Sequence, residues 1–448
     1  MKQRFVRAAG WTLIGHVLTQ LIKLISNLVL TRLLAPEAYG IMSVGFILIG
    51  GLAMFSDFGL NAVAVRSTRG DDPTFLNVGW VVQIVRGLII LVAAMLCAVG
   101  LSALDKAGWV SEHSVYANPL VPTLVAVLSI QVLLEALTST KAWVARRHMQ
   151  FEALTKIDLL CQAATTIVMV VWANISPSIW VLAGGTLFGA LLKTVLSHTA
   201  LPGPPNRFEW EAESFREIFD FGKWVFVSSS VFFLLASGDR LLLGGMLDPK
   251  TMGLYSIAFT WVGIAQTAVM GVVGNAVLPA LGEVFREKPG ELKKTFYRIR
   301  FPLDAICLIA SGAMVVAGPT LVNILYDKRY ASAGWMLSAL ALTLVATRLS
   351  ILDQLLVATG RVKLLSALNT FQLVVLYIMI PAGYLMAGMT GAIVAAGLVG
   401  LVNSAVVLTL QSRLGLLDAR RELLALPWFV VGLASGWCVR SLHQWLAA

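Results

Sequence analysis

The sequence predicts an all-α polytopic membrane protein with about 13 transmembrane helices, within a range of about 12 to 14. Of its 448 residues, 58% are hydrophobic and only 13% are charged. Soluble domains are nearer half apolar and a quarter charged. Apolar runs of roughly 20 residues, each long enough to cross a bilayer, recur from end to end. The composition therefore excludes a soluble protein of two or three domains.

The apolar runs define the predicted spans and the domain scheme. The spans lie near 10–33, 38–60, 76–101, 117–139, 154–174, 178–199, 219–243, 253–276, 301–324, 332–357, 364–387, 389–411 and 424–446. We expect an N-terminal six-helix lobe at 1–200, a cytoplasmic amphipathic linker at 201–218, a C-terminal six-helix lobe at 219–411, and an additional C-terminal membrane helix at 412–448. The Pro and Gly residues of LPGPPN at 201–206 end the sixth span and begin the linker.

An internal repeat supports the two lobes. Residues 33–43 read LLAPEAYGIMS and residues 246–256 read MLDPKTMGLYS. At one constant offset the prolines, glycines and final serines of the two stretches match, and Trp11 matches Trp224. An even number of spans separates the two copies, so both cross the membrane in the same direction. The sequence therefore predicts two parallel six-helix lobes around a central cavity.

The basic residues predict the orientation of the chain. Of the 34 Lys and Arg residues, six lie within predicted spans and are assigned to neither side: Lys23, Arg86, Lys193, Arg240, Arg348 and Arg440. Five are assigned to the outer connections and outer span ends: Arg32, Lys106, Lys250, Lys328 and Arg329. The remaining 23 lie on the side of the N-terminus. By the positive-inside rule, the N-terminus is cytoplasmic. The net charge of +10 then reflects topology and attraction to anionic membrane lipids, and no nucleic-acid partner is expected.

The sequence contains no recognisable site for covalent chemistry. It has no phosphate-binding glycine loop, and its His and Cys residues lack the spacing of a metal site. We therefore expect no catalytic residues, no metal and no cofactor. A duplicated helical body without an enzyme signature favours a transporter.

The first span carries polar residues along one helical face. His16, Gln20, Lys23 and Asn27 are spaced by four, three and four residues within HVLTQLIKLISN. A lysine at bilayer depth costs about 2.5–3.5 kcal/mol on insertion scales, so such a residue usually faces water or the protein interior. We predict that this stripe lines a water-filled cavity that takes an anionic substrate, above all a phosphate or pyrophosphate.

Three further basic residues are candidates for the same cationic cavity: Arg86, Arg240 and Arg348. Arg240 follows Asp239 directly, and Arg348 precedes Asp353 by five residues. The alternative is that these arginines, and Lys23 with them, pair privately with acids or extend to the lipid headgroups. The sequence leaves both alternatives open.

The absence of an ATPase motif means that the expected energy source is a proton or sodium gradient, the membrane potential or the substrate gradient. The carboxylates that could carry a coupling proton are Glu135, Asp158, Asp239, Asp304 and Asp353. Most lie near span ends, where interfacial or paired carboxylates are the alternative.

Three stretches resemble the oligosaccharide flippase, or polysaccharide transporter, family of the multidrug/oligosaccharidyl-lipid/polysaccharide (MOP) exporter superfamily. They are LTRLLAPEAYGIMSV at 30–44 with FSDFGLNAVAVR at 55–66, ARRHMQFEALTKIDL at 145–159, and SGDRLLLGGMLDPKTMGLYS at 237–256. Their order and spacing fit nearly the whole chain. The predicted 13 spans depart from the 12 or 14 common in the family, so either one span is miscounted or the C-terminus is periplasmic.

The resemblance implies a flippase that moves undecaprenyl-pyrophosphate-linked oligosaccharides across the bacterial inner membrane by alternating access, for surface polysaccharide export. It also implies a lipid-linked oligosaccharide as substrate, with a polysaccharide polymerase and glycosyltransferases as candidate partners. Two alternatives stay open. A drug or small-cation exporter of the same superfamily would favour acidic residues in its cavity, and a non-transporting subunit of a polysaccharide assembly complex would need no cavity.

Overall fold

The computed structural model describes residues 2–54 and 59–447, and the described part contains helices and turns but no strand. For some helical residues, Trp224 among them, the side chains lie outside the described part of the structure. The predicted match between Trp11 and Trp224 therefore stays a prediction. The chain divides into two compact units, Met1–Ser237 and Gly238–Ala448. Each unit is described separately below.

The described part of unit 1 is built from helices. They are α1 (Lys2–Leu33), α2 (Pro36–Met54), α3 (Leu60–Arg66), α4 (Pro73–Lys106), α5 (Leu120–Ala136), α6 (Lys141–Arg147), α7 (Phe151–Ile175), α8 (Ile179–Thr199) and most of α9 (Ala212–Met246). A buried apolar cluster joins α3, α4, α6 and the start of α9, with Phe75, Trp143 and Ile218 at its centre. The linker is not helical before Ala212, and α9 then continues without a break through the predicted seventh span.

Unit 2 begins with the last residues of α9. Its helices are α10 (Pro249–Val272), α11 (Leu278–Glu287), α12 (Leu292–Leu325), α13 (Ala333–Leu340), α14 (Thr343–Thr347), α15 (Ile351–Ala358), α16 (Val362–Arg413) and α17 (Ala419–Ala447). A short 3₁₀ turn, Arg348–Ser350, connects α14 to α15. The predicted span 332–357 is therefore made of three short helices rather than one.

Ten helices of the described chain are long and apolar enough to cross a membrane, or up to eleven if the bent pair α5 and α6 counts as one span. The chain is a multi-pass helical membrane protein. One of the ten, α16, covers the two predicted spans 364–387 and 389–411. Between them Ala387 and Gly388 leave the helical conformation, and Gly388 has φ 59°, which a residue with a side chain rarely adopts. The number 13 stays a prediction.

The repeated prolines occupy equivalent positions in the two units. Pro36 is the first residue of α2 and Pro249 is the first residue of α10. Proline suits the first turn of a helix because its missing N–H has no helical partner there. The Asp248 carboxylate caps α10 by accepting hydrogen bonds from two backbone N–H groups, at 3.0 and 3.1 Å. The repeat thus marks the start of a buried helix in each unit.

Candidate substrate-binding site

Helix α1 has three distinct faces along its length. One packs on α7, where Ser26 and Leu30 are buried and Gly15 lies against Thr155. A second face is apolar and open, and it contains Ile14, Leu18, Leu21 and Ile25, each 41–58% exposed. The third face contains the polar stripe of His16, Gln20, Lys23 and Asn27. At 3.6 residues per turn, the apolar and polar stripes lie on nearly opposite sides of the helix. Helix α1 therefore carries an exposed apolar stripe and a polar stripe on nearly opposite sides.

Lys23 is the exposed charge of the polar stripe. Its side chain is exposed, as is that of His16, whereas Gln20 and Asn27 are half-buried. Within residues 2–54 and 59–447, Lys23 makes no hydrogen bond or ion pair. The alternative of private pairing with an acid therefore has no support from the described residues. An unpaired ammonium group on a polar face is available to an anionic ligand.

Arg86 lies on α4 and contacts the end of α2. Its guanidinium donates a hydrogen bond to the Ala53 carbonyl at 2.7 Å. One turn earlier Gln83 donates to carbonyls at the end of α5, with the shortest bond to Ala136 at 2.7 Å. The last carbonyls of a helix lack partners within the helix, so these side chains satisfy acceptors that would otherwise be unpaired. Arg86 therefore has a structural contact in unit 1, and its substrate role stays a prediction.

Arg240 lies beside Asp239 near the end of α9. Its guanidinium stacks over the Phe259 ring at 4.3 Å, and its Nε lies 3.8 Å from Asp239 Oδ1. The buried Tyr255 hydroxyl donates to Asp239 Oδ2 at 2.6 Å. This arrangement matches the pairing alternative for Arg240 while leaving its side chain 22% exposed.

Arg348 lies in the 3₁₀ turn before α15 and is 6% exposed. Its Nη1 is 3.3 Å from Glu422 and 3.5 Å from Asp304. This environment favours private pairing with acids over the predicted role in a cationic substrate cavity.

The predicted coupling carboxylates differ in their surroundings. Asp158 forms an ion pair with Lys193 at 2.7 Å, and the Glu135 carboxylate accepts a hydrogen bond from Gln131 at 2.9 Å. Asp239 and Asp304 have the partners given above. Asp353 is half-buried on α15 and has no hydrogen bond or ion pair within the described residues. Among these acids, only Asp353 lacks such a partner in that part of the chain. The described residues contain no cluster of three or more His, Cys, Asp or Glu side chains that could hold a metal.

Sequence reasoning missed a set of polar contacts around Arg147, inside the predicted motif at 145–159. Arg147 Nη1 donates to the carbonyls of Ala64, Val65 and Ser67 at 2.8, 3.0 and 2.6 Å, where α3 ends. Its Nε pairs with Asp71 at 3.0 Å. Burial raises the pKa of Asp71, but the hydrogen bond from His148 and the Arg147 charge outweigh burial and hold the pKa below its usual value. Two adjacent arginines after a helix were the available sequence signal.

The linker is fixed to unit 1 by polar contacts of the same kind. Glu211 pairs with Arg69 at 2.7 Å, and Glu209 accepts a hydrogen bond from Asn77 at 2.8 Å. Hydrogen bonds from Ser214 and then Arg69 lower the pKa of Glu211. The linker is thus a docked segment of unit 1 and not a free connector.

The comparisons with known proteins agree with this architecture. Residues 29–335 match the family described as Polysaccharide biosynthesis protein. The lipopolysaccharide biosynthesis protein WzxC of Escherichia coli is 20% identical over 90% of this chain and 80% of its own length. The succinoglycan biosynthesis transport protein ExoT of Rhizobium meliloti is 20% identical over 75% of this chain and 65% of its own length.

Solved structures of low sequence identity share the fold. The lipid II flippase MurJ in an inward closed conformation has a TM-score of 0.69 and 14% identity, and the match covers 96% of this chain and 97% of that one. An inward-facing MATE family multidrug transporter of the MOP superfamily has a TM-score of 0.65 and 14% identity, over 94% and 96% of the two chains.

The helices that can cross a membrane and the fold shared with these transporters define the class: a multi-pass helical membrane protein with the fold of MOP superfamily transporters. The match over 29–335 then fixes the family. The chain belongs to the Polysaccharide biosynthesis protein family, and its predicted resemblance to the polysaccharide transporters of that superfamily is confirmed.

Proposed function

We propose that the protein is a flippase that translocates undecaprenyl-pyrophosphate-linked oligosaccharides across the bacterial inner membrane by alternating access. The family and the MOP fold support transport for polysaccharide biosynthesis. WzxC and ExoT are named for lipopolysaccharide biosynthesis and succinoglycan transport, and MurJ for flipping lipid II. The bias of 23 inner against 5 outer basic residues supports a cytoplasmic N-terminus.

The proposal rests on one observation: α1 has an exposed apolar stripe and a polar stripe on nearly opposite sides of the helix. A lipid-linked sugar has an apolar chain and a charged, hydrated head, and α1 offers an apolar surface and a polar surface in the same helix. Lys23 is the cation on the polar side, and Gln20 and Asn27 supply neutral hydrogen-bonding groups. We assign the diphosphate to this stripe, with Arg86 of the same unit as a secondary candidate cation.

A charge-assisted hydrogen bond contributes about 1.5–3 kcal/mol, so the Lys23 ammonium is worth roughly 10- to 150-fold in affinity for the diphosphate. A drug or small-cation exporter would favour an acidic stripe, and the exposed Lys23 on the polar face of α1 argues against that alternative. A non-transporting assembly subunit would not need an unpaired lysine at this depth.

Flipping by the purified protein in vesicles tests the proposal. The substrate is a short oligosaccharide on undecaprenyl pyrophosphate, with a fluorophore on the sugar, and an impermeant reductant quenches only the outer leaflet. We expect the quenched fraction to rise above half when the protein is present. The same sugar on undecaprenyl monophosphate should move more slowly. Quenching that stays at the level of protein-free vesicles would contradict the flippase function and favour the assembly subunit.

Coupling to an ion gradient is part of the proposal, with Asp353 as the first residue to test because it has no partner among the described residues. One charge that moves through 100 mV contributes about 2.3 kcal/mol, enough to shift a two-state equilibrium about fiftyfold. We expect Asp353→Asn to flip at a rate that no longer responds to an imposed proton gradient. A full response to the proton gradient in that variant would exclude Asp353 as the proton carrier. If the unmodified protein flips the substrate at the same rate with and without proton and sodium gradients, ion coupling is excluded.

A further inference from the structure

A buried cluster of four charges lies inside unit 2, and the last helix supplies one of them. Arg300 on α12 is 0% exposed. Its guanidinium donates to both oxygens of Glu422 on α17, at 2.6 and 2.8 Å, and to Asp304 at 3.1 Å. Arg348 contacts the same two carboxylates, at 3.3 and 3.5 Å. Gln411 at the end of α16 accepts a further bond from Arg300 at 3.3 Å.

The charges of this cluster balance only when α17 is in place. Two arginines face two carboxylates, and Glu422 contacts both guanidinium groups. Without Glu422, two buried arginines would share Asp304 alone. An unbalanced buried charge is strongly destabilising, whereas a balanced or fully apolar arrangement is not.

The turn before α17 is held by the same end of α12. The Tyr297 hydroxyl donates to Glu422 at 3.0 Å and accepts the backbone N–H of Asp418 at 2.9 Å. The Lys293 ammonium donates to the carbonyls of Gly415 and Leu417 at 3.3 and 3.0 Å. Gly415 and Leu417 lie beyond the end of α16, so their carbonyls have no helical partner, and the Lys293 ammonium satisfies them.

Beyond the cluster, α12 and α17 pack so closely that their backbones touch. A β-carbon on Gly312 would lie 2.5 Å from the Phe429 carbonyl oxygen, and one on Gly432 would lie 2.5 Å from the Ile309 carbonyl oxygen. Gly436 has the same relation to Ala313, at 2.6 Å. Small residues at such contacts let membrane helices approach closely.

We propose that residues 412–448, which lie outside the two repeat copies, are an obligate part of unit 2, and that Glu422 is the charge that keeps Arg300 and Arg348 neutralised in its interior. Arg348 serves this cluster and not the substrate. The inference concerns how unit 2 is assembled, and it does not depend on the identity of the transported molecule.

The test is a charge-balance cycle on the full chain. Glu422→Gln should lower the yield of folded, monodisperse protein at least about tenfold and lower its melting temperature, because one arginine charge is left unbalanced. Glu422→Gln combined with Arg348→Met removes one charge of each sign and should recover most of the yield. Glu152→Gln, which breaks an ion pair with Lys156 on the surface of α7, is the matched control and should change neither quantity.

Each outcome of the cycle decides the proposal. A Glu422→Gln protein with native yield and melting temperature would overturn it, because the cluster would then not need the charge of α17. A double variant no better than the single variant would overturn the charge-balance argument. A folded double variant that exports glycan would support the assignment of Arg348 to the cluster, and a folded but inactive one would contradict that assignment.

Discussion

Replacing Arg147 by alanine should loosen the end of α3 and lower the stability of unit 1. One side chain there serves three backbone carbonyls and one carboxylate, all at 2.6–3.0 Å. The carbonyls belong to the last turn of α3 and to Ser67 after it, and no other side chain within the described residues donates to them. The substitution therefore removes the donors and leaves their acceptors in place.

The size of the effect follows from the donors available. Nη1 carries two hydrogens, so the three carbonyl contacts amount to about two hydrogen bonds from a charged group, each worth about 1.5 kcal/mol at a partly exposed position. The Asp71 pair is half exposed on the acid side and adds at most about 1 kcal/mol. We expect a total loss of about 2–4 kcal/mol. Arg147→Lys should lose about half of that, because an ammonium cannot span the same acceptors.

Thermal unfolding of the purified protein in detergent measures the loss, and hydrogen exchange of the α3 amides shows where it occurs. The neighbouring Arg146 is exposed and makes one bond, to Asn61 Oδ1 at 3.0 Å, so Arg146→Ala is the matched control with an expected change within about 0.5 kcal/mol. Equal melting temperatures for the two alanine variants would refute the reasoning.

Three further outcomes are expected. The pKa of Glu211 is lowered in the folded protein, so the stabilisation from its contact with Arg69 is fully present above the unfolded pKa of about 4.5 and is lost as the pH falls below it. Hydrogen-exchange protection of the linker amides should show this pH dependence, and Glu211→Gln should abolish it. Gly432→Ala should lower the melting temperature because its β-carbon meets the α12 backbone, whereas Gly282→Ala, with nothing within 4 Å, should not. A cysteine at exposed Lys294 should resist an impermeant reagent added outside the cell, and ready labelling would reject the predicted orientation.

Local periodicity predicted the features that depend on one helix. The spacing of the polar residues in α1 placed them on one face, and the structure shows that face separate from the apolar one. The matched prolines of the repeat are the first residues of α2 and α10 in the structure. The gap between the predicted spans at 387 and 389 corresponds to the kink at Gly388.

Features that depend on distant pairing were not predictable in the same way. Arg300 and Glu422 are separated by 122 positions, and only the packing of α17 on α12 brings them together. Arg300 and Asp304, four residues apart at the start of a predicted span, were a local signal of a buried ion pair, but nothing in the sequence indicated its third and fourth members. The contacts of the linker also depend on distant residues. Its alternating polar and aromatic residues fit an amphipathic helix, which the structure shows only from Ala212 onward, and nothing in the sequence indicated that Glu209 and Glu211 bond to Asn77 and Arg69.

The most direct test of the central claim is the flipping rate of Lys23 variants in vesicles, measured with the pyrophosphate-linked sugar at concentrations below saturation. Lys23→Ala should fold normally, because no described residue depends on the ammonium, and should flip about 10- to 150-fold more slowly. Lys23→Arg should retain part of the rate, and Lys106→Ala, the loss of another exposed lysine, should retain all of it. A stably folded Lys23→Ala protein that flips the substrate at the native rate would contradict the assignment of the α1 polar stripe as the diphosphate site.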